Sequence, residues 1–114
     1  MKSFLARFVY AFEGLAFMMK EKNIRLHLAF ALFVIVMGFL FRLTKEEWFW
    51  VLLCIALVLS METINTCIEM TVDSISTKRN LRFKKIKDMA AGAVLIVSLF
   101  ALIVGLMIFL PKCF

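Results

Sequence analysis

MAAGAVLIVSLFALIVGLMIFL, residues Met89–Leu110, has no charged side chain and only one polar one, Ser98. As a helix, a run of this length rises about 33 Å, enough to cross the ~30 Å hydrocarbon core of a bilayer. A helix in a soluble bundle needs a polar outer face, and this stretch offers none. Lipid is its expected surrounding, with Pro111 and Lys112 expected to stop it.

Two shorter apolar runs precede it. Leu28–Phe41 is uncharged and reaches back to Leu26 if His27 sits at the membrane interface. Arg25 and Arg42 flank this run and can snorkel to the headgroups. Trp48–Met61 is uncharged, with Ser60 its one hydroxyl side chain. At the amino terminus Phe4, Phe8, Phe12, Leu15 and Met19 recur at helical spacing, with Lys2, Arg7 and Lys20 elsewhere on the wheel. Glu13, Arg7 and Gly14 interrupt that segment, so it suits the membrane surface or the protein itself rather than a span. The expectation is an all-α membrane protein, one domain over 1–114. It has an amino-terminal amphipathic surface helix over 3–22 and three transmembrane helices over 26–41, 48–72 and 88–110.

Composition agrees. Apolar residues make up 64% of the chain and the mean hydropathy is +0.98, against an apolar share of about 45–50% in soluble domains. The net charge of +6 comes from short segments between apolar runs, which argues against nucleic acid as a partner and for anionic headgroups. Cys54, Cys67 and Cys113 lack C-x-x-C spacing, and with one histidine in the chain they cannot form a zinc set. Eleven lysines and arginines lie before the first span or between the second and third, against three in the first connection and the tail. That bias places the amino terminus and the second connection in the cytoplasm. Trp48 and Trp50 are then expected to anchor the outer interface.

The second apolar run continues into Glu62-Thr-Ile-Asn-Thr-Cys-Ile-Glu-Met-Thr-Val-Asp73. On a helix, Glu62, Asn65, Glu69 and Asp73 share an arc of about 80°. Glu62 lies about 21 Å past Trp48, roughly 9 Å short of the inner boundary of the hydrocarbon. Burying an acid there costs about 2.5–3.5 kcal/mol on insertion scales, so its presence calls for a compensating role. One such role is an interhelical hydrogen bond. Another is a site for a hard, oxygen-seeking cation, which several carboxylate and amide groups on one stripe would suit. Lys78, Arg79, Lys84, Lys85 and Lys87 add cations for an anionic ligand nearby, while Asp88 suits the start of the third helix. No G-x-x-x-x-G-K-[ST], kinase glycine loop or H-R-D occurs, so no standard nucleotide fold is encoded.

Glu62–Asp73, followed by Lys87-Asp-Met-Ala-Ala-Gly-Ala-Val94, resembles the signature of the prokaryotic diacylglycerol kinase/undecaprenol kinase family. The likeness extends to Phe8–Leu15 and to Glu21–Asn23. It implies a homotrimer in the bacterial plasma membrane, with active sites shared between subunits, that phosphorylates a membrane lipid alcohol with ATP and Mg²⁺. On the matching positions, Glu62 would be the general base and would meet the lipid together with Trp48 and Ala91. Glu21 and Glu69 would be the Mg²⁺ ligands. Tyr10, Asn65, Asp73, Lys87 and Asp88 would bind ATP, with Lys78, Arg79 and Asn80 at a turn making further contacts. Where some members carry a nucleotide-binding arginine near the amino terminus, this chain has Ser3. The closing Gly105–Lys112 segment and the Asn23…His27 spacing are similar to the Gram-positive-type branch, which implies undecaprenol over diacylglycerol. A small ion or proton pathway along the acidic stripe is the rival class. An inert assembly partner glued by the stripe is a third.

Overall fold

A computed structural model describes residues 2–75 and 80–114, with only the backbone described at Lys2. Four helices follow one another, α1 (Lys2–Met18), α2 (Lys22–Leu40), α3 (Lys45–Ile75) and α4 (Leu81–Cys113), and no strand occurs among the described residues. The last three are long and apolar enough to cross a membrane. α3 packs chiefly against α4 and less extensively against α2, so it forms the middle of the bundle, while α1 makes little contact with the rest. Leu95, Ile96, Leu102, Ile103 and Met107 of α4 are all more than half exposed. In water such a surface would be unstable; against lipid or a neighbouring subunit it is favourable.

Several helix ends differ from the expected ones. The first helix stops at Met18, short of residue 22, because the amides of Lys20 and Glu21 turn back to the carbonyls of Phe17 and Met18. Glu21 is extended, and α2 begins at Lys22 instead of residue 26 and ends at Leu40. α3 outruns 48–72 at both ends, and its 31 residues rise about 46 Å, beyond the hydrocarbon thickness. α4 starts seven residues before Asp88 because the Asn80 side chain caps it, accepting from the Arg82 N–H at 2.8 Å. Pro111 does not end α4, which continues to Cys113. The missing proline N–H leaves the Met107 carbonyl without its helical donor, a loss confined to the last turns, where helices fray.

The α2–α3 connection is tightly specified. Arg42 takes the left-handed conformation, with φ 55°, and the N–H groups of Arg42 and Leu43 donate to the carbonyls of Phe39 and Gly38. This is a Schellman closure. Two residues on, Thr44 and Glu47 form a capping box: the Thr44 N–H donates to Glu47 Oε1 at 2.9 Å and the Glu47 N–H to Thr44 Oγ1 at 3.2 Å. Behind this turn, Leu43, Val51 and Ile108 form a buried cluster that draws in Phe41, Trp48 and Phe109. Trp48 was expected at an interface. Its ring lies over Gly38 beside this turn, where an added Cβ would stand 2.6 Å from a ring carbon, while Trp50 is exposed, at 47%.

Candidate active site

The opposite end of the bundle, where α2 and α4 begin and α3 finishes, carries the polar groups. Glu62 and Asn65 point inward and are 6% and 7% exposed, Glu69 is half-buried, and Asp73 is exposed. Helical spacing places all four along one stripe of α3. The Asn65 amide Nδ2 donates to Glu69 Oε1 at 3.2 Å, one turn along. Asp73 Oδ1 accepts from Lys87 Nζ at 2.9 Å, a bond that ties α3 to α4. That hydrogen bond, reinforced by the Asp73 charge, holds the Lys87 ammonium above the ordinary lysine range.

The structure adds two residues to this stripe. His27 of α2 brings Nε2 to 3.5 Å from Glu62 Oε2. Thr66 is buried, and among the described residues its Oγ1, like Asn65 Oδ1, has no hydrogen-bond partner. The hydroxyls of Thr63, Thr71 and Ser74 all donate to carbonyls four residues back, at 2.7 Å; that of Thr66 does not. Thr66 lies about 40° around the helix from Glu62, so the same angular reading that collects the acids could have found it. His27 had no such signal, because its partner lies 35 positions away on another helix. Two buried polar atoms left unpaired beside a carboxylate mark a place where a further polar group belongs.

Other expected site residues are distributed more widely. Glu21 is half-buried at the N-cap position of α2 and makes no capping bond with its side chain. Asp88 is exposed and pairs with Lys84 at 2.7 Å, while the Asn80 side chain serves α4 as its cap. Ala91 is exposed on α4, one turn beyond Lys87. Tyr10 is exposed on α1. Trp48 stands at the far end of α3, about 21 Å along the helix from Glu62, so the structure does not bring it to Glu62 and Ala91. Lys78 and Arg79 lie outside the described residues.

Two hollows adjoin the stripe. One, of about 650 Å³, is lined by Asp73, Asn80, Phe83, Lys84, Lys87 and Asp88 and is partly polar. The other is an apolar groove of about 670 Å³ with α3 as its floor and α2 and α4 as its walls. It runs from Phe109 to His27, and its last α3 residue, Leu59, precedes Glu62 by one turn. Among the described residues no three His, Cys, Asp or Glu side chains gather as a ligand set. A hard cation such as Mg²⁺ needs only one or two carboxylates when phosphate oxygens and water complete its shell. Glu69, with one oxygen tied by Asn65 and the other free of any hydrogen bond among the described residues, is a donor of that kind.

Three apolar helices with a line of carboxylate and amide groups at one mouth define a multi-pass membrane protein with a polar site at the edge of the hydrocarbon. Residues 9–109 match the family model for prokaryotic diacylglycerol kinase. The chain belongs to that family and is a lipid kinase. It is 42% identical over 110 residues to the undecaprenol kinase of Bacillus subtilis (strain 168), covering 96% of this chain and 89% of that protein. It is also 34% identical over 109 residues to a diacylglycerol kinase of Synechocystis sp. (strain PCC 6803). That match covers 94% of this chain and 62% of the relative, so the chain spans less than two thirds of the cyanobacterial protein.

Proposed function

We propose that this chain is an undecaprenol kinase that transfers the γ-phosphoryl group of ATP to the terminal hydroxyl of the polyprenol, working as a homotrimer in the bacterial plasma membrane. The observation that carries this reading is a buried carboxylate, Glu62, one helical turn beyond the end of an apolar groove. The groove suits a hydrocarbon chain, and a lipid hydroxyl at its mouth would lie beside a proton acceptor. The identity to an undecaprenol kinase over nearly the whole of both chains favours the polyprenol over diacylglycerol.

In this mechanism Glu62 takes the hydroxyl proton as the lipid oxygen bonds to the γ-phosphorus. The bond from that phosphorus to the bridging oxygen breaks, and ADP departs with the electron pair. Asn65, Asp73, Lys87 and Asp88 orient ATP at the partly polar hollow, with Tyr10, Lys78, Arg79 and Asn80 as further contacts. Lys87, held close to Asp73, offers a cation to the phosphates. Glu69 and Glu21 would hold Mg²⁺, which when bound neutralises charge on the triphosphate. Phosphoryl transfer asks mainly for positioning and charge stabilisation, so a helix bundle without a glycine-rich loop suffices. With eleven of fourteen lysines and arginines on the segments around this mouth, the site faces the cytoplasm, where ATP is.

The deciding measurement offers purified protein undecaprenol and diacylglycerol side by side with γ-labelled ATP and Mg²⁺. The expected result is label on both or on the polyprenol alone, with the higher kcat/KM for the polyprenol. A preference for diacylglycerol would reassign the substrate. Cation flux through proteoliposomes without ATP consumption would replace the kinase mechanism with an ion pathway.

A further inference from the structure

We propose that His27 is a positioning residue for Glu62: its Nε2 steadies one carboxylate oxygen so that the other faces the lipid hydroxyl arriving from the groove. This rests on the kinase reading and on Glu62 as its base. Glu62 has no other polar partner among the described residues, and its side chain is 8% exposed against 33% for His27. A buried carboxylate with no donor would be free to rotate and would carry the full cost of its lost solvation. Among the described residues, His27 Nε2 is the donor that approaches it.

The backbone around His27 makes the contact specific. Ile24, 1% exposed, and Ala31, 8% exposed, flank His27 on the same side of α2 at helical spacing. Two buried anchors on a rigid helix fix where the imidazole begins, which is the arrangement a precise site needs. The 3.5 Å separation exceeds an ideal N–H···O distance by about half an ångström, so a small rotation of either side chain completes the bond. An Nε2–H donated to Oε2 leaves Oε1 with its lone pairs free for the substrate proton. His27 also lines the groove, so the group that steadies the base stands where the lipid enters.

The test compares three variants in the full-length protein, in the lipid assay in which the unaltered chain is active. His27→Ala removes the donor. His27→Gln keeps an N–H at a reach similar to Nε2, and His27→Asn keeps one that falls short. The expected result is a kcat lower by about 10²-fold for Ala and Asn, the scale of a misplaced reacting group. Gln should recover most of the loss, and the KM for ATP should stay within about twofold throughout. Equal kcat in Gln and Asn, or an Ala variant with undiminished kcat, would overturn the proposal. If Ala does not fold, the Gln-to-Asn difference still decides. Absence of turnover in the unaltered chain would instead count against the kinase reading, which keeps the two failures separate.

Discussion

The two ends of this bundle are built on opposite terms. At the α2–α3 turn the groups are paired and packed: a Schellman closure, a capping box and a tryptophan ring over glycine. Lys112 of α4 forms an ion pair with the same Glu47 oxygen that takes the Thr44 N–H, at 3.0 Å. At the other end Asn65 Oδ1 and Thr66 Oγ1 are buried without partners among the described residues, the His27–Glu62 contact is long, and hollows open on two sides. Buried polar groups are normally satisfied, so an end that leaves them unsatisfied gives up stability for a ligand. The turn end holds the helices together, and the acidic end leaves polar groups open, which the proposed function assigns to substrate.

If that division is right, substitutions at the two ends should affect different measurements. The largest effect is expected at the acidic end. Glu62→Gln should lower kcat by about 10²–10⁴-fold, the range of general-base catalysis, with helicity and oligomeric size unchanged by circular dichroism and size-exclusion chromatography. Loss of the oligomer instead would recast the stripe as subunit glue.

At the turn end, Gly38→Ala should reduce stability while leaving residual turnover per folded molecule unaltered. The new Cβ would meet the Trp48 ring at 2.6 Å and the Leu43 methyl at 3.1 Å. Overpacking of that kind costs about 1–3 kcal/mol, readable as a lower Tm in detergent. A Gly38→Ala protein with an unchanged Tm but impaired kcat/KM would erase the distinction between the ends.

The smallest effect is a pH dependence. The Thr44 N–H, and after it the Lys112 ammonium, hold the Glu47 carboxyl below its ordinary value of 4.5. A lowered folded-state value means that the stabilisation is complete above 4.5 and is lost as the pH falls through the lowered value. The unaltered protein should therefore lose slightly more Tm than Glu47→Gln on acidification through that window. Identical pH profiles would show that the charge on Glu47 contributes nothing to stability.

Much of the architecture was legible along the chain. The apolar run from Met89 and the arc joining Glu62, Asn65, Glu69 and Asp73 follow from helical geometry alone, and both stand in the structure. Thr66 was legible by the same geometry. A threonine hydroxyl in a helix usually bonds the carbonyl four residues back, so its free Oγ1 was not. The extension of α4 back to Leu81 depended on recognising Asn80 as a cap in a basic segment. Thr44-x-x-Glu47 also carried a readable start signal. The stacking of Trp48 on Gly38 had no comparable sign, since neither residue type specifies the other.

Local chemistry determined which segments are helical, which of them enter lipid and which residues share a face. Hydropathy and a 3.6-residue period are properties of neighbouring residues and need no folded partner. Tertiary structure decided which faces meet: His27 against Glu62, Lys87 against Asp73, and α3 as the floor of a groove between α2 and α4. Those contacts join residues far apart in the chain, and side-chain packing between helices, which no local period encodes, selects them.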